Sequence, residues 1–458
     1  MPVNSFEDYP MSWRPVLEDG GEPLYHRLAR QLERDVSAGV LRPGTKLPPQ
    51  RELADFLDIN VSTVSRAFRL CAERGLLSGS VGSGTYITYD RPTDLLGSAP
   101  GYSRVIELGS MVPETLPQTE LTDLLQKMLA EDDGRFFQYS RGMPDWQRAA
   151  AVKLLTRAGC PASGEQILLA GGGQNALAAI FCGLLHPGDR LGVDPLVYPG
   201  VKSAAKLFGV QLVPIPQMDG EMSADGLRYA ARSEGIRAVY VMPECQNPTT
   251  HTMTAAGRDR LAAAAREWDL LILEDGIMNL LSDKPEESVF ARAPERTVFI
   301  LSLSKAVSPA LRLAYLAVPA DKRQALDSAL YGCNLSQSAL LLELASRLAA
   351  SGRLDALLER RRTGVQIRNQ LADRSHSGFL APGGSCCLSR WLRLPPELSG
   401  QALEHLALER GVRVYGSERF AVGKEAPVHG ARLAICAPDS LEELEQGLLL
   451  LRELLESV

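Results

Sequence analysis

Leu24, Leu28, Leu32 and Val36 recur every four residues between Pro23 and Gly39, which predicts a helix over 23–40. A Pro- and Gly-rich connector, 41–49, precedes a second helix over 49–57 that turns Leu53, Ala54 and Leu57 inward. Asn60 is placed to cap a third helix, 61–74, with Val64, Ala67, Phe68 and Cys71 on its apolar side and Gly75 as its stop. Alternation then resumes over 76–80 and 85–89, around Val81-Gly82-Ser83-Gly84, the pattern of a hairpin with a flexible tip. Short helices joined by a tight turn and followed by a hairpin define a winged helix-turn-helix, whose third helix enters the major groove. Its exposed positions Ser62, Thr63, Ser65 and Arg66, with Gln50 and Arg51 at the start of the second helix, carry groups able to reach phosphates or base edges. A three-helix packing module with solvated polar residues has the same pattern.

The pattern changes after residue 89. Residues 90–104 are rich in Pro, Gly, Ser and Asp and read as a linker. From Val105 to the C-terminus apolar runs alternate with amphipathic segments, which predicts an α/β domain with a mostly parallel sheet. The division is therefore 20–89, 90–104 and 105–458.

Open sheets of this kind bind ligands at the ends of their strands, and the chemistry of this chain collects there. The run 167–170 leads into Gly171-Gly172-Gly173-Gln174 and an apolar helix, a weak signal for an anion site. The run 191–194 is followed by Tyr198, and 238–243 by Asn247-Pro248-Thr249. The run 270–273 is followed by Glu274-Asp275. The longest, 297–303, ends in Ser302-Leu303-Ser304-Lys305, with Arg312 seven residues on. A lysine at the end of a buried strand is costly without a partner or a role. One such role is a Schiff base with an aldehyde cofactor, since partial desolvation frees the amine. Taken singly, each of these features is also ordinary turn or strand-end chemistry.

Composition narrows the field. The 458 residues are 45% hydrophobic and 23% charged, with no apolar run long enough to cross a membrane and no basic, apolar leader. The net charge is −6. Residues 23–89 hold nine Lys/Arg and six Asp/Glu, a local +3 on a remainder of −9, which suits local contact with nucleic acid. Eight scattered cysteines without CxxC spacing predict reduced thiols and no metal site.

Two resemblances rest on these motifs. The runs Leu47-Pro48-Pro49-Gln50-Arg51-Glu52-Leu53-Ala54, Asn60-Val61-Ser62-Thr63-Val64-Ser65-Arg66-Ala67-Phe68 and Gly82-Ser83-Gly84-Thr85-Tyr86 resemble the DNA-binding domain of GntR-type regulators. Val61 departs from the arginine common there. The ordered set of glycine turn, Tyr198, Asn247-Pro248, Asp275, Ser302-Leu303-Ser304-Lys305 and Arg312 resembles fold-type I pyridoxal 5′-phosphate (PLP) aminotransferases. Together they are similar to the MocR-type branch of the GntR regulators, which implies a small C-terminal α+β subdomain as well.

The resemblance implies that Lys305 carries PLP covalently and Asp275 pairs with the pyridine nitrogen. Asn247 would bond the ring hydroxyl and Tyr198 would stack on the ring. Gly173, Gln174, Ser302, Ser304 and Arg312 would hold the phosphate. Tyr139 would reach the partner subunit's phosphate site, and Arg432 would bind an effector carboxylate. The expected partners are operator DNA, an amine or amino-acid effector, and a second copy in a head-to-tail homodimer in the cytoplasm. Ile277 and Met278 stand where relatives carry a tyrosine, and Thr250 where they carry glycine, so slow or absent transamination is expected. The alternatives are an aminotransferase with a fused DNA-binding module and a regulator that senses PLP itself.

Overall fold

The computed structural model describes residues 11–17, 21–37, 40–41, 45–73, 76–80, 84–87, 105–117, 119–131, 134–140, 142–376, 378–423 and 428–457. The predicted linker 90–104, the wing tip at Gly82 and Ser83, the proposed stop at Gly75 and the motif residue Arg141 lie outside them. The chain divides into two compact units, Met1–Ser103 and Arg104–Val458.

The first unit contains α1 (Leu24–Ser37), α2 (Gln50–Leu57) and α3 (Val61–Glu73), followed by β1 (Leu77–Ser80) and β2 (Gly84–Ile87). The predicted helical faces form one core: Leu28, Leu32, Leu53, Val64, Ala67 and Cys71 are each no more than 1% exposed. Asn60 Oδ1 accepts from the Ser62 amide at 2.9 Å, so the predicted capping residue satisfies a free donor at the start of α3. Two features go beyond the predicted pattern. Trp13 enters this core at 3% exposure, with its indole nitrogen donating to Asp35 at 2.8 Å. Lys46 bridges Tyr86, and the Leu47 amide donates to Thr85 O at 2.8 Å, so the connector adds a third edge to the predicted two-strand hairpin.

The second unit is built on a seven-stranded sheet. Its strands are β3 (Ile167–Ala170), β4 (Arg190–Val193), β5 (Gln211–Pro214), β6 (Ile236–Val241), β7 (Leu271–Asp275), β8 (Thr297–Ser302) and β9 (Ala314–Ala317), in spatial order β3-β9-β8-β7-β6-β4-β5. Pairings among β4 to β8 are parallel, and β9 runs antiparallel to both neighbours. A strand covered on both faces reads as a continuous apolar run because alternate side chains serve two cores. In β8 all six residues are buried. Val298 and Ile300 join one core, and Phe299 and Leu301 join the other.

Helices α4 (Gly173–Leu184), α5 (Pro199–Phe208) and α6 (Ala255–Glu267) lie between strands in sequence. The C-terminal part is the expected α+β subdomain. It comprises α7 (Arg353–His376), β10 (Arg390–Arg393), α8 (Gly400–Glu409), β11 (Tyr415–Gly416), β12 (Gly430–Leu433) and α9 (Leu441–Glu456), with β12 central in an antiparallel sheet. Cys245 and Cys387 form a disulfide across 142 residues, which corrects the expectation of uniformly reduced thiols. Spacing gave no sign of it because the partners meet only through tertiary packing.

The loop after β6 is anchored by a buried ion pair. Arg258 of α6 is fully buried, donates to Glu244 at 2.6 Å and also reaches the carbonyls of Pro243 and Met253. Removing one partner leaves an uncompensated buried charge. Arg258→Ala is expected to destabilise the protein by about 3–5 kcal/mol, measured by chemical denaturation. A loss near zero would show that the pair does not anchor the loop.

Candidate functional site

The ends of β3, β6, β7 and β8 bring the predicted residues together. Asp275, the last residue of β7, is 5% exposed. Its Oδ2 accepts from the Tyr240 hydroxyl at 2.8 Å and its Oδ1 from the Ile277 amide at 3.2 Å. Burial pushes its pKa up to about 6, partly offset by these two donors and by Lys305. Among the described residues it has no ion pair, and its charge is supported by the two hydrogen-bond donors and by the field of Lys305.

Lys305 follows the fully buried β8. Its Nζ donates to the carbonyl of Met111. Burial lowers its pKa to about 8; Arg432 and Arg312 push the same way and Asp275 opposes them. Near neutrality the free amine, the form able to attack a carbonyl, is therefore a minority of about one in ten, far more than in an ordinary lysine.

Arg432, in β12, is 4% exposed. Its Nη1 donates to Asn247 Oδ1 at 2.7 Å and its Nη2 to the Gly109 carbonyl at 2.6 Å, while its Nε is buried without a partner. The guanidinium lies 4.8 Å from the Phe420 ring centroid and 5.7 Å from that of Tyr415. It forms no ion pair among the described residues, and burial lowers its pKa to about 10. Asn247 is 2% exposed and follows the peptide chain out of β6; with its oxygen held by Arg432, its amide N–H groups remain to act as donors.

The phosphate-type cradle lies at the start of α4. Gly172 caps the helix at φ 91° and makes no side-chain capping bond. Gly172 suits its position because side-chain-bearing residues rarely adopt that φ; a Cβ there would also fall 2.8 Å from Arg312 Nη2, the far end of a flexible side chain that can shift. Arg312 is exposed and donates to Gly171 O at 3.2 Å. Ser302 and Ser304 are buried and joined by a 3.1 Å hydroxyl bond. A helix N-terminus with free amides, two hydroxyls and a guanidinium is a dianion-binding set. Tyr198 precedes α5, and its hydroxyl donates to Gln174 Oε1 at 3.3 Å.

Tyr139 is not brought to this set. It is 75% exposed and bridges Ser338, with no hydrogen bond to the site residues among those described. Ile277 packs against two cores and Met278 is 2% exposed, so neither position offers a hydroxyl to the site. Thr250 occupies the left-handed region at φ 62°, an uncommon conformation for a β-branched residue.

The structure adds Tyr240, Gly109 and Met111 to the site. Tyr240 lies in the apolar run of β6, and a buried hydroxyl there was the available signal, since buried tyrosines normally bond a partner. Gly109 and Met111 act through backbone carbonyls, which leave no mark on side-chain patterning.

In the first unit Ser62, Arg51 and Arg66 are exposed, and Arg66 lies over the Tyr25 ring at 4.4 Å from its centroid. Thr63 is half-buried. Ser65 and Gln50 hydrogen-bond each other at 2.5 Å, joining α3 to the start of α2.

These two architectures have known counterparts. Residues 24–87 match the bacterial regulatory proteins of the gntR family, and residues 103–446 match aminotransferase class I and II. An uncharacterised HTH-type transcriptional regulator of Bacillus subtilis, YdeF, is 45% identical over the full length of both chains. The vitamin B6 salvage pathway transcriptional repressor PtsJ of Salmonella typhimurium is 27% identical over 88% of this chain and 92% of its own. Among solved structures, the α-aminoadipate aminotransferase LysN of Thermus thermophilus, complexed with N-(5′-phosphopyridoxyl)-L-leucine, superimposes with a TM-score of 0.71. It is 23% identical and covers 80% of this chain and 94% of its own.

The class is thus a winged-helix DNA-binding domain joined to a PLP-type aminotransferase domain. The chain belongs to the HTH-type transcriptional regulators of this MocR architecture.

The Lys305 shift has a measurable consequence. Between about pH 8 and the ordinary lysine range, the unfolded chain binds a proton that the folded, ligand-free protein has released. Stability of the ligand-free protein is therefore expected to rise across that interval relative to Lys305→Met, followed by denaturant titration. Parallel pH profiles for the two proteins would show that the folded environment does not depress the lysine.

Proposed function

We propose that this regulator holds PLP at Lys305 and that a carboxylated amine or amino acid meeting the cofactor alters its affinity for operator DNA. The observation that carries the reading is the buried Arg432 guanidinium, without an ion pair among the described residues, hydrogen-bonded to Asn247 and near enough to Lys305 to lower its pKa.

The residues fit the cofactor. Asp275 offers a buried carboxylate to a protonated pyridine nitrogen, and Tyr240 orients it through Oδ2. Asn247 offers an amide to the ring oxygen and Tyr198 a ring face. Gly173, Gln174, Ser302, Ser304 and Arg312 offer donors to the phosphate. When bound, PLP supplies an aldehyde for exchange with amines and an electron-withdrawing ring. Lys305 supplies the free amine, and after displacement its Nζ is the group available to carry a proton. Arg432 receives the effector carboxylate, with Asn247 and the Gly109 carbonyl fixing its fork.

Sustained transamination is not the role we assign. Apolar Ile277 and Met278 provide no second donor to the ring oxygen, which alters tuning of the bound amine. Exposed Tyr139 is available to serve a partner subunit's site in a head-to-tail homodimer. In the DNA-binding unit we assign Arg51, Ser62, Thr63 and Arg66 to the nucleic acid. Gln50 and Ser65 either contact it or position α3 through their mutual bond.

Borohydride is expected to fix PLP to the wild-type chain and not to Lys305→Ala. Equal fixation would place the cofactor on another lysine. Arg432→Ala should retain PLP while losing the spectral response to amino acids, and an unchanged response would remove Arg432 from the effector site. DNA affinity should fall steeply with salt, at a log–log slope of about 0.9 per phosphate contacted, and Arg51→Ala or Arg66→Ala should reduce that slope. Wild-type slopes in both variants would take these arginines off the DNA.

A further inference from the structure

Three sulfurs meet beside the effector site. Cys245 stands two residues before Asn247, on the loop leaving β6. Cys387 stands three residues before Arg390 at the start of β10, whose neighbour β12 carries Arg432. Their disulfide therefore ties the Asn247 loop to the C-terminal subdomain. The third sulfur, Cys386, lies 3.8 Å from Cys245 Sγ and is half-buried, whereas Cys245 and Cys387 are 3% and 0% exposed. Asn369 Nδ2 donates to the carbonyls of Ser385 and Cys387, which holds the Cys386–Cys387 segment against α7.

We propose that Cys245 and Cys387 form a reversible redox tether on the effector site, with Cys386 as the thiol through which a small disulfide enters and leaves. This rests on the reading of the crevice as the PLP and effector site. In a DNA-binding regulator a disulfide of this kind fits a transient, sensing role better than a stabilising frame.

The exchange has three steps. Cys386 thiolate attacks a low-molecular-weight disulfide, forming a mixed disulfide and releasing one thiol. Cys245 thiolate attacks Cys386 Sγ and releases the second thiol. Cys387 thiolate then attacks Cys245 Sγ, forming Cys245–Cys387 and returning Cys386 to the thiol. Two protein thiols are oxidised and one external disulfide is reduced to two thiols. Burial pushes the Cys386 thiol up to about 11, so its thiolate is scarce at neutral pH and the exchange is slow. The tether pre-organises the site, because Asn247 and Arg432 come from the two parts it joins.

The test uses the full-length protein, reduced with dithiothreitol and then treated with oxidised glutathione. Disulfides are mapped by differential alkylation and mass spectrometry, and PLP affinity is read from cofactor absorbance. The exposed Cys182 and Cys333 serve as controls for simple glutathione adducts. Formation of Cys245–Cys387, its reversal by dithiothreitol, and PLP binding roughly fivefold or more tighter in the oxidised form support the proposal. Cys245→Ser and Cys387→Ser should each abolish that difference, and Cys386→Ser should form the disulfide more slowly still than the wild type. Failure of the pair to form, or equal PLP affinity in both states, overturns the tether. Wild-type kinetics in Cys386→Ser overturn the relay. Disulfide formation with no PLP uptake in either state overturns the reading of the site and the coupling with it.

Discussion

An imbalance of charge organises the effector domain. Arg312 and Arg432 both bear electrostatically on Lys305, and Asp275 is the carboxylate set against them. Desolvation makes an unneutralised buried cation expensive, and the strain shows as lowered pKa values for Lys305 and Arg432. A ligand of the proposed kind, with a phosphate, a carboxylate and one protonated ring nitrogen, would relieve that imbalance group by group. The same imbalance gives the ligand a purchase on the protein, since a conformational equilibrium shifts only by differential interaction with its two states.

The scaffold supplies this crevice through strand ends. Three parallel strands with apolar interiors deliver Asn247, Asp275 and Lys305, and the antiparallel C-terminal sheet delivers Arg432 from the other side. The buried Arg258–Glu244 pair and the Cys245–Cys387 bond both act on the loop that carries Asn247. Rigid supports on that loop make sense, because Asn247 accepts from the buried Arg432.

Much of this was legible in the sequence. Ser302-Leu303-Ser304-Lys305 ends an apolar run, and a charged residue at that boundary signals chemistry. Asp275 and Asn247 also follow apolar runs, but singly each reads as ordinary strand-end or turn chemistry, and the glycine turn is a weak signal. Only their order with the lysine, through the resemblance, made them candidates. The predicted runs were displaced by one to three residues: Glu274 and Asp275 proved to be part of β7, and Gly173 part of α4. Tyr240 was hidden because a tyrosine in an apolar strand looks like packing. Gly109 and Met111 contribute only carbonyls. The disulfide and the Gln50–Ser65 bond depend on contacts between distant positions, which one sequence does not encode in its spacing.

The central claim is that cofactor state and DNA affinity are linked in one chain. It is tested most directly by measuring the affinity for the DNA upstream of its own gene, by fluorescence anisotropy, for PLP-loaded protein and for the same preparation freed of cofactor. The account predicts a difference of roughly fivefold or more between the two forms, abolished in Lys305→Ala. Identical affinities with PLP bound and removed would contradict it.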